Sequence, residues 1–170
     1  MSTETKTLSD SPLEVQVYEP PCLREHPQDM FPYIQSVPFQ SKDRLKVAVL
    51  FTDCEATCEA MKTACAFAVR LNAIIEVVAT EVVPYPIPLD SPPSVFFRCL
   101  IRGFEASLNE YPVKTELQVF LCRDQVKALN CILRPNSPVL MVIGKSNPNQ
   151  DEKLARTLRH AGYDVIEVDS

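Results

Sequence analysis

The stretch Lys46-Val-Ala-Val-Leu-Phe51 is apolar at five consecutive positions. A strand with one wet face alternates polar and apolar residues. An unbroken apolar run marks a strand covered on both faces, as at the centre of a parallel sheet. Such a strand needs helices above and below it, and the downstream sequence supplies them. Ala60, Met61, Ala64, Phe67, Ala68 and Leu71 fall on one helical stripe and predict a helix over Glu55 to Leu71. Ile74 to Val83 reads as a second strand. Phe97, Leu100, Ile101, Phe104 and Leu108 then mark a second helix, and Val113 to Leu121 a third strand. Asp124 to Leu133 reads as a short helix, and Val139 to Ile143 as a fourth strand ending at Gly144. The last helix covers Glu152 to Ala161, with Gly162 placed for a left-handed cap, and Tyr163 to Val168 is the fifth strand. Strands alternating with helices specify an α/β domain, one sheet with helices on both faces and right-handed crossovers.

Residues 1–44 have a different character and set the domain boundary, with the α/β domain running over 45–170. They hold six of the fifteen prolines and no glycine, a density that breaks regular elements. This part reads as a Pro-rich extended N-terminal arm, partly disordered. Its alternating Leu13, Val15 and Val17 fit an added edge strand, a segment lying across a partner, or a mobile tail. A second proline-dense segment, Pro84 to Pro93, is excluded from helix and central strand. It reads as a stiff connector, with a lid or a partner-binding surface as the alternatives.

The bulk properties exclude some functions. A net charge of −5 leaves no basic excess to displace counterions, so nucleic acid is not an expected partner. No stretch approaches the roughly 18 apolar residues of a spanning helix, and no basic run suggests a membrane surface. The polar start, Met1 to Asp10, has no apolar core of a signal peptide, so the expected location is cytoplasmic. In that reducing compartment the seven cysteines are expected to be free thiols.

With these elements in place, residues 45–169 resemble a universal stress protein domain. The resemblance rests on Phe-Thr-Asp-Cys (51–54) with the alanine-rich helix after it, Ile-Pro-Leu-Asp-Ser-Pro-Pro (87–93), and Val-Leu-Met-Val-Ile-Gly (139–144). It implies a five-stranded parallel sheet in the order 3-2-1-4-5 and a homodimer formed through a sheet edge. Members that bind ATP set an acidic residue at the end of strand one against the nucleoside, and Asp53 stands there. They also carry a Gly-x-x-Gly run after strand four, followed downstream by Gly-Ser or Gly-Thr, for the phosphates. Here Gly144 opens the right segment but the next glycine is Gly162, and the intervening residues begin Lys-Ser-Asn-Pro-Asn-Gln (145–150).

That departure bears on ligand chemistry. Phosphate loops turn backbone N–H groups toward the anion, often at positive φ, which glycine adopts cheaply. Pro148 donates no hydrogen bond, and with three glycines in all neither a Walker loop nor a dinucleotide fingerprint fits. The implied order puts a crevice beyond the carboxyl ends of strands one and four. Its candidate ligand-binding walls are Thr52, Asp53 and Cys54 on one side and Gly144, Lys145, Ser146 and Asn147 on the other. Asp53 paired with Lys145 would make a polar pocket; the structural alternative is Asp53 capping the next helix and Lys145 in solvent. Cys54 and Cys58 lie four apart at a helix start, where thiolates are favoured, and are candidates for a redox pair or for packing. Arg123 is placed to reach an anion near the crevice, Asp124 to cap a helix, and His160 to complement a helix dipole. No spacing suggests a catalytic set or a metal site.

The expected function is a non-catalytic universal-stress-protein-like module without ATP binding and without a cofactor. It would act by dimerisation and by binding a protein partner or small metabolite. The alternatives are an AMP or ATP binder using the crevice, and a thiol sensor using Cys54 and Cys58.

Overall fold

The computed structural model describes residues 30–35, 45–133 and 138–169. The elements are β1 (Met30–Gln35), β2 (Lys46–Leu50), α1 (Cys54–Leu71), β3 (Ile74–Val82), α2 (Val95–Ser107), a 3-10 turn (Leu108–Glu110), β4 (Thr115–Cys122), α3 (Gln125–Leu133), β5 (Leu140–Lys145), α4 (Pro148–His160) and β6 (Val165–Asp169). The five strands from β2 onward are parallel and give the expected 3-2-1-4-5 sheet. A sixth strand, β1, extends it, so the full order is β1-β4-β3-β2-β5-β6.

That sixth strand comes from the proline-rich arm. β1 runs antiparallel to β4, from Met30 opposite Cys122 to Gln35 opposite Gln118, with a register shift between Pro32 and Ile34. Proline donates no ladder hydrogen bond, so an edge strand with an irregularity is where a sheet accepts it. The alternating Leu13, Val15 and Val17 lie outside the described residues, as do 36–44.

The central strand is apolar on both faces because both are covered. Val47 and Val49 join α1 and α2 in one core, with Met61, Ala64, Ile101 and Phe104. Ala48 and Leu50 join α3 and α4 in the other, with Leu129, Leu133, Leu154 and Leu158. Phe51 anchors α2 through edge-on contacts with Phe97 and Phe104, at centroid distances of 6.5 and 5.4 Å. None of the described helices is long and apolar enough to cross a membrane.

Two of the helices, α1 and α4, are closed by left-handed residues. At α4, Gly162 has φ +97, and the N–H groups of Gly162 and Tyr163 donate to the carbonyls of Arg159 and Leu158. At α1 the same two bonds form around Asn72, φ 51, with Ala73 donating to Ala68. Asparagine tolerates this geometry well enough to replace glycine there. The last helix starts at Pro148, four residues before the predicted start. A proline is favoured in the first helical turn, where its missing N–H would have no partner.

Candidate functional site

β2 is flanked by β3 on one side and β5 on the other, so the winding direction reverses between β2 and β5. The sequence-predicted walls are the last residues of β5 and those just beyond β2 and β5, and the structure brings them together. Thr52 Oγ1 donates to the Gly144 carbonyl at 2.8 Å, tying the two strand ends directly to each other. The Thr52 N–H donates in turn to Thr57 Oγ1 on the first turn of α1. Asp53 has extended backbone, φ −142 and ψ 178, and its Oδ1 accepts from the Ala56 N–H at 2.8 Å. It is the N-cap of α1.

Gly144 has a steric role. A Cβ built on it would lie 1.9 Å from the Ala56 carbonyl oxygen and 2.4 Å from the carbonyl carbon. The first turn of α1 therefore sits against the end of β5 at a distance only glycine permits. No positive φ is involved at this position.

The segment after β5 is closed by a carboxylate. Asp151, buried in the first turn of α4, accepts on Oδ2 from the N–H of Ser146 at 2.8 Å and the N–H of Asn147 at 2.7 Å. The Ser146 hydroxyl adds a longer contact to the same oxygen at 3.3 Å. Two backbone donors of the segment that resembles a phosphate loop thus already point at an anion, and that anion belongs to the chain. Lys145 turns to β6, where its Nζ pairs with Glu167 at 3.4 Å and Asp169 at 3.2 Å. The hydrogen bond to Asp169 is the main reason its pKa is raised. These two ion pairs hold the Lys145 side chain toward β6.

Cys54 and Cys58 both pack against the core that α1 shares with α2 and the turn after it. The Cys54 thiol donates to the Leu100 carbonyl at 3.4 Å. Burial pushes its pKa up, and the neighbouring Cys58 and Asp53 push in the same direction. The helix start therefore does not produce the thiolate expected from position alone, because burial and nearby negative charge act against it. Cys58 and Tyr111 pack against the same core, and burial, followed by the neighbouring Cys58, raises the pKa of the Tyr111 hydroxyl. Cys65 is buried and its pKa is raised for that reason, while burial and then Asp124 push Cys122 up to about 12. Cys54, Cys58, Cys65, Cys99 and Cys122 are free, as expected, but Cys131 is disulfide-bonded. Among the described residues no group of three or more His, Cys, Asp and Glu side chains could hold a metal ion.

Arg123 has a different partner from the one sequence suggested. Its guanidinium donates to the carbonyls of Val83 at 2.7 Å, Pro84 at 3.1 Å and Ile87 at 2.6 Å. It also lies over the Tyr85 ring, 4.2 Å from the centroid. This side chain fastens the proline segment to the end of β4, beside the packing of Leu89 with Val83 and Leu121. Asp124 next to it accepts from the Lys127 N–H at 3.1 Å and caps α3. Asp151 was not singled out in the sequence. Its only signal is an acidic residue following Asn-Pro-Asn-Gln, where a carboxylate reaches back to a helix start.

Neither a protein-family model nor a curated protein matches the sequence. Solved structures do match the fold. A universal stress protein family member from Burkholderia pseudomallei superposes with a TM-score of 0.54 at 19% identity, covering 76% of this chain and 98% of its own. A universal stress protein from Archaeoglobus fulgidus gives a TM-score of 0.56 at 13% identity, covering 76% and 96%. A universal stress protein in complex with cAMP gives 0.53 at 16% identity, covering 74% and 97%. Identities this low speak to the fold, and the extent of the match covers nearly the whole of each neighbour. The protein is therefore built on a universal-stress-protein-like α/β domain.

Proposed function

We propose that this chain is a non-catalytic module of universal stress protein fold that binds no nucleoside triphosphate. It acts in the cytoplasm as a dimer on a protein partner or a small metabolite. The observation that carries the reading is Asp151. Its carboxylate accepts from the Ser146 and Asn147 N–H groups. A phosphate arriving there would have to displace it and would meet its negative charge. The engagement of Thr52 and Asp53 with backbone supports the same conclusion, since both side chains hold α1 and the strand ends in register. Dimerisation draws its support from the sheet: β1 occupies one edge, and β6 (Val165–Asp169) is the other end of the strand order.

A second reading is favoured by one comparison. The similar structure in complex with cAMP holds a nucleotide with a single phosphate. A mononucleotide needs fewer phosphate donors, and Asp53 is half-buried at the mouth of the crevice. On this reading the base and ribose lie beside Asp53 and the Asp151-closed segment is left alone.

Thermal shift of the full chain with ATP, ADP, AMP and cAMP, with and without Mg²⁺, separates the two. At a concentration about 100 times the Kd, binding adds about 2.7 kcal/mol to stability. No shift with any nucleotide is the expected result. A shift with ATP overturns the proposal; a shift with AMP or cAMP alone selects the second reading.

A further inference from the structure

Helix α2 is anchored along its inner side. The Glu81 carboxylate accepts from the Ser94 N–H at 3.1 Å, and the Ser94 hydroxyl accepts from the Phe97 N–H at 3.2 Å, which fixes the first turn against the end of β3. Phe97 and Phe104 meet Phe51, Ile101 is buried, and the Leu100 carbonyl accepts from the Cys54 thiol. The outer side has no such engagement. Val95, Cys99, Arg102 and Ala106 follow at i, i+4, i+7 and i+11, one line along the helix, and all four are exposed. Phe96, on one flank of that line, is 73% exposed and Val95 is 68% exposed. An aromatic and an aliphatic side chain side by side in water, continued by Cys99 and Ala106, make an apolar strip rather than a scattered residue.

We propose that this outer face of α2 is where two copies of the chain meet, helix against helix and antiparallel, about a two-fold axis passing between Cys99 and Arg102. The inference rests on the dimerisation in the proposed function and gives it a surface other than the sheet ends.

Charge complementarity selects the second copy as the occupant. Arg98 and Glu105 are seven residues apart and lie on the same flank of the strip. Among the described residues neither has an ion pair. Arg98 Nε is out of water with no hydrogen-bond partner, so a donor waits there for an acceptor from outside. In a two-fold antiparallel pair each flank meets the same flank of the other copy, with the sequence running in reverse. Arg98 then comes opposite Glu105 of the second copy, and Glu105 opposite its Arg98. One symmetry operation makes both pairs. A parallel pair brings opposite flanks together and leaves Arg98 facing uncharged residues.

The other flank matches as well. Phe96 comes opposite Gly103 of the second copy. Nothing of the chain lies within 4 Å of where a Gly103 Cβ would stand, so the helix surface is open there and receives the ring. Along the strip Val95 faces Ala106, and Cys99 faces Arg102, whose stem lies over apolar surface while its guanidinium reaches the rim. Helices with contacts this small pack about 8–10 Å apart. A pair of 13-residue helices lies at or below the low end of the roughly 1,200–2,000 Å² buried in stable complexes. The dimer should therefore exchange with monomer on dilution.

Sedimentation velocity of the full chain, in reductant and over a dilution series, tests the contact. The wild type should move from monomer to dimer as concentration rises. Arg98→Glu sets like charges opposite each other at both symmetry-related positions and should raise the dimer Kd at least about tenfold, as should Glu105→Arg. Combining Arg98→Glu with Glu105→Arg should restore the wild-type curve, a rescue that requires the two residues to face each other. Phe96→Ser should also weaken the dimer. All four variants should keep the wild-type circular dichroism spectrum, because the substituted side chains lie outside the core. Cys99 stands next to the axis, so a short bis-maleimide should join it to Cys99 of the second copy, seen as a cross-linked peptide after digestion. A dimer that none of the substitutions weakens is joined elsewhere; that overturns the α2 contact and leaves dimerisation standing. A charge-swapped variant no better than the single reversals overturns the pairing of Arg98 with Glu105 and the two-fold arrangement with it. A wild type that stays monomeric at every concentration overturns both this inference and the dimerisation on which it rests.

Discussion

Gly144→Ala is the substitution whose outcome most directly checks how the crevice is built. The added methyl would meet the Ala56 carbonyl oxygen at 1.9 Å, and ordinary contact begins near 3.4 Å, so α1 and the end of β5 must part by about 1.5 Å. The obstacle is backbone, with no flexible side chain to swing away. Overpacking a core by a methylene costs about 1–3 kcal/mol when side chains can adjust, and more when they cannot. The shift also stretches the Thr52–Gly144 and Thr52–Thr57 hydrogen bonds, each contributing about 0.5–1.5 kcal/mol. A loss of about 3–5 kcal/mol follows, or a fall in Tm of about 10 °C for a chain of this size. Gly103→Ala is the matched control. Nothing lies within 4 Å of a Cβ there, and the position is in α2, away from its ends. Alanine in a helix interior is favoured over glycine by about 0.5–1 kcal/mol, so this variant should be more stable than the wild type. Urea unfolding of both variants, followed by circular dichroism, measures the two signs. If Gly144→Ala is within about 1 kcal/mol of wild type, an error on the scale of ΔΔG measurement plus relaxation, the close approach is not the reason for the glycine.

Other expectations follow from single side chains. Arg123→Ala removes three hydrogen bonds from the Val83, Pro84 and Ile87 carbonyls and should cost about 1.5–3 kcal/mol. It should also make the proline segment the first site cut in limited proteolysis, and Arg123→Lys should not restore resistance, because one ammonium cannot serve all three carbonyls. Asp151→Ala should lower the Tm by releasing the Ser146 and Asn147 N–H groups, a loss of about 2 kcal/mol; full stability in this variant would refute the role given to its carboxylate. Burial raises the pKa of Glu76 above its ordinary 4.5, with Lys46 opposing the shift and Glu116 adding to it. The folded state then binds the proton more tightly than the unfolded one, so this group's contribution declines as pH rises from about 4.5 through the folded value. Glu76→Gln should flatten that decline in stability measured across the window, and an unchanged slope would show that Glu76 is not its source.

The fold was legible because its strongest signals are patterns repeated along the chain. One unbroken apolar strand, two stripes at helical spacing and the alternation of strands with helices leave little choice but a covered parallel sheet, and each predicted element is present. The errors fall where one residue decides a boundary. The last helix is predicted from Glu152 but starts at Pro148, a residue that the first helical turn accepts because its missing N–H would have no partner there. The end of α1 at Leu71 agrees with the apolar stripe, but the left-handed Asn72 that closes it is not marked by its neighbours. β1 was hidden inside a proline-dense arm, where Pro32 argues against a strand unless the strand lies on an edge.

The crevice was legible as a place, since sheet order alone fixes where the winding reverses. Its chemistry was less so. Residue type placed Asp53, Lys145 and Cys54 as ligand or redox groups, but each such group has a local competitor for its bonds. Asp53 meets the Ala56 N–H, Lys145 meets Glu167 and Asp169 one strand away, and the Cys54 thiol meets Leu100. These contacts depend on register and on helix position, which no spacing rule supplies. Gly144 shows the same limit from the other side. As part of a phosphate segment it reads as a ligand residue, yet its Cβ position is filled by the backbone of Ala56. A glycine can sit at a strand end because an anion comes close or because a helix does. In this chain the helix is the nearer neighbour, and the anion held beside it is Asp151. Gly144 and the inward-turned N–H groups of Ser146 and Asn147 are therefore better explained by how α1 and α4 seat against β5, and placing glycines at 147 or 149 would not by itself create phosphate binding while Asp151 keeps its bonds.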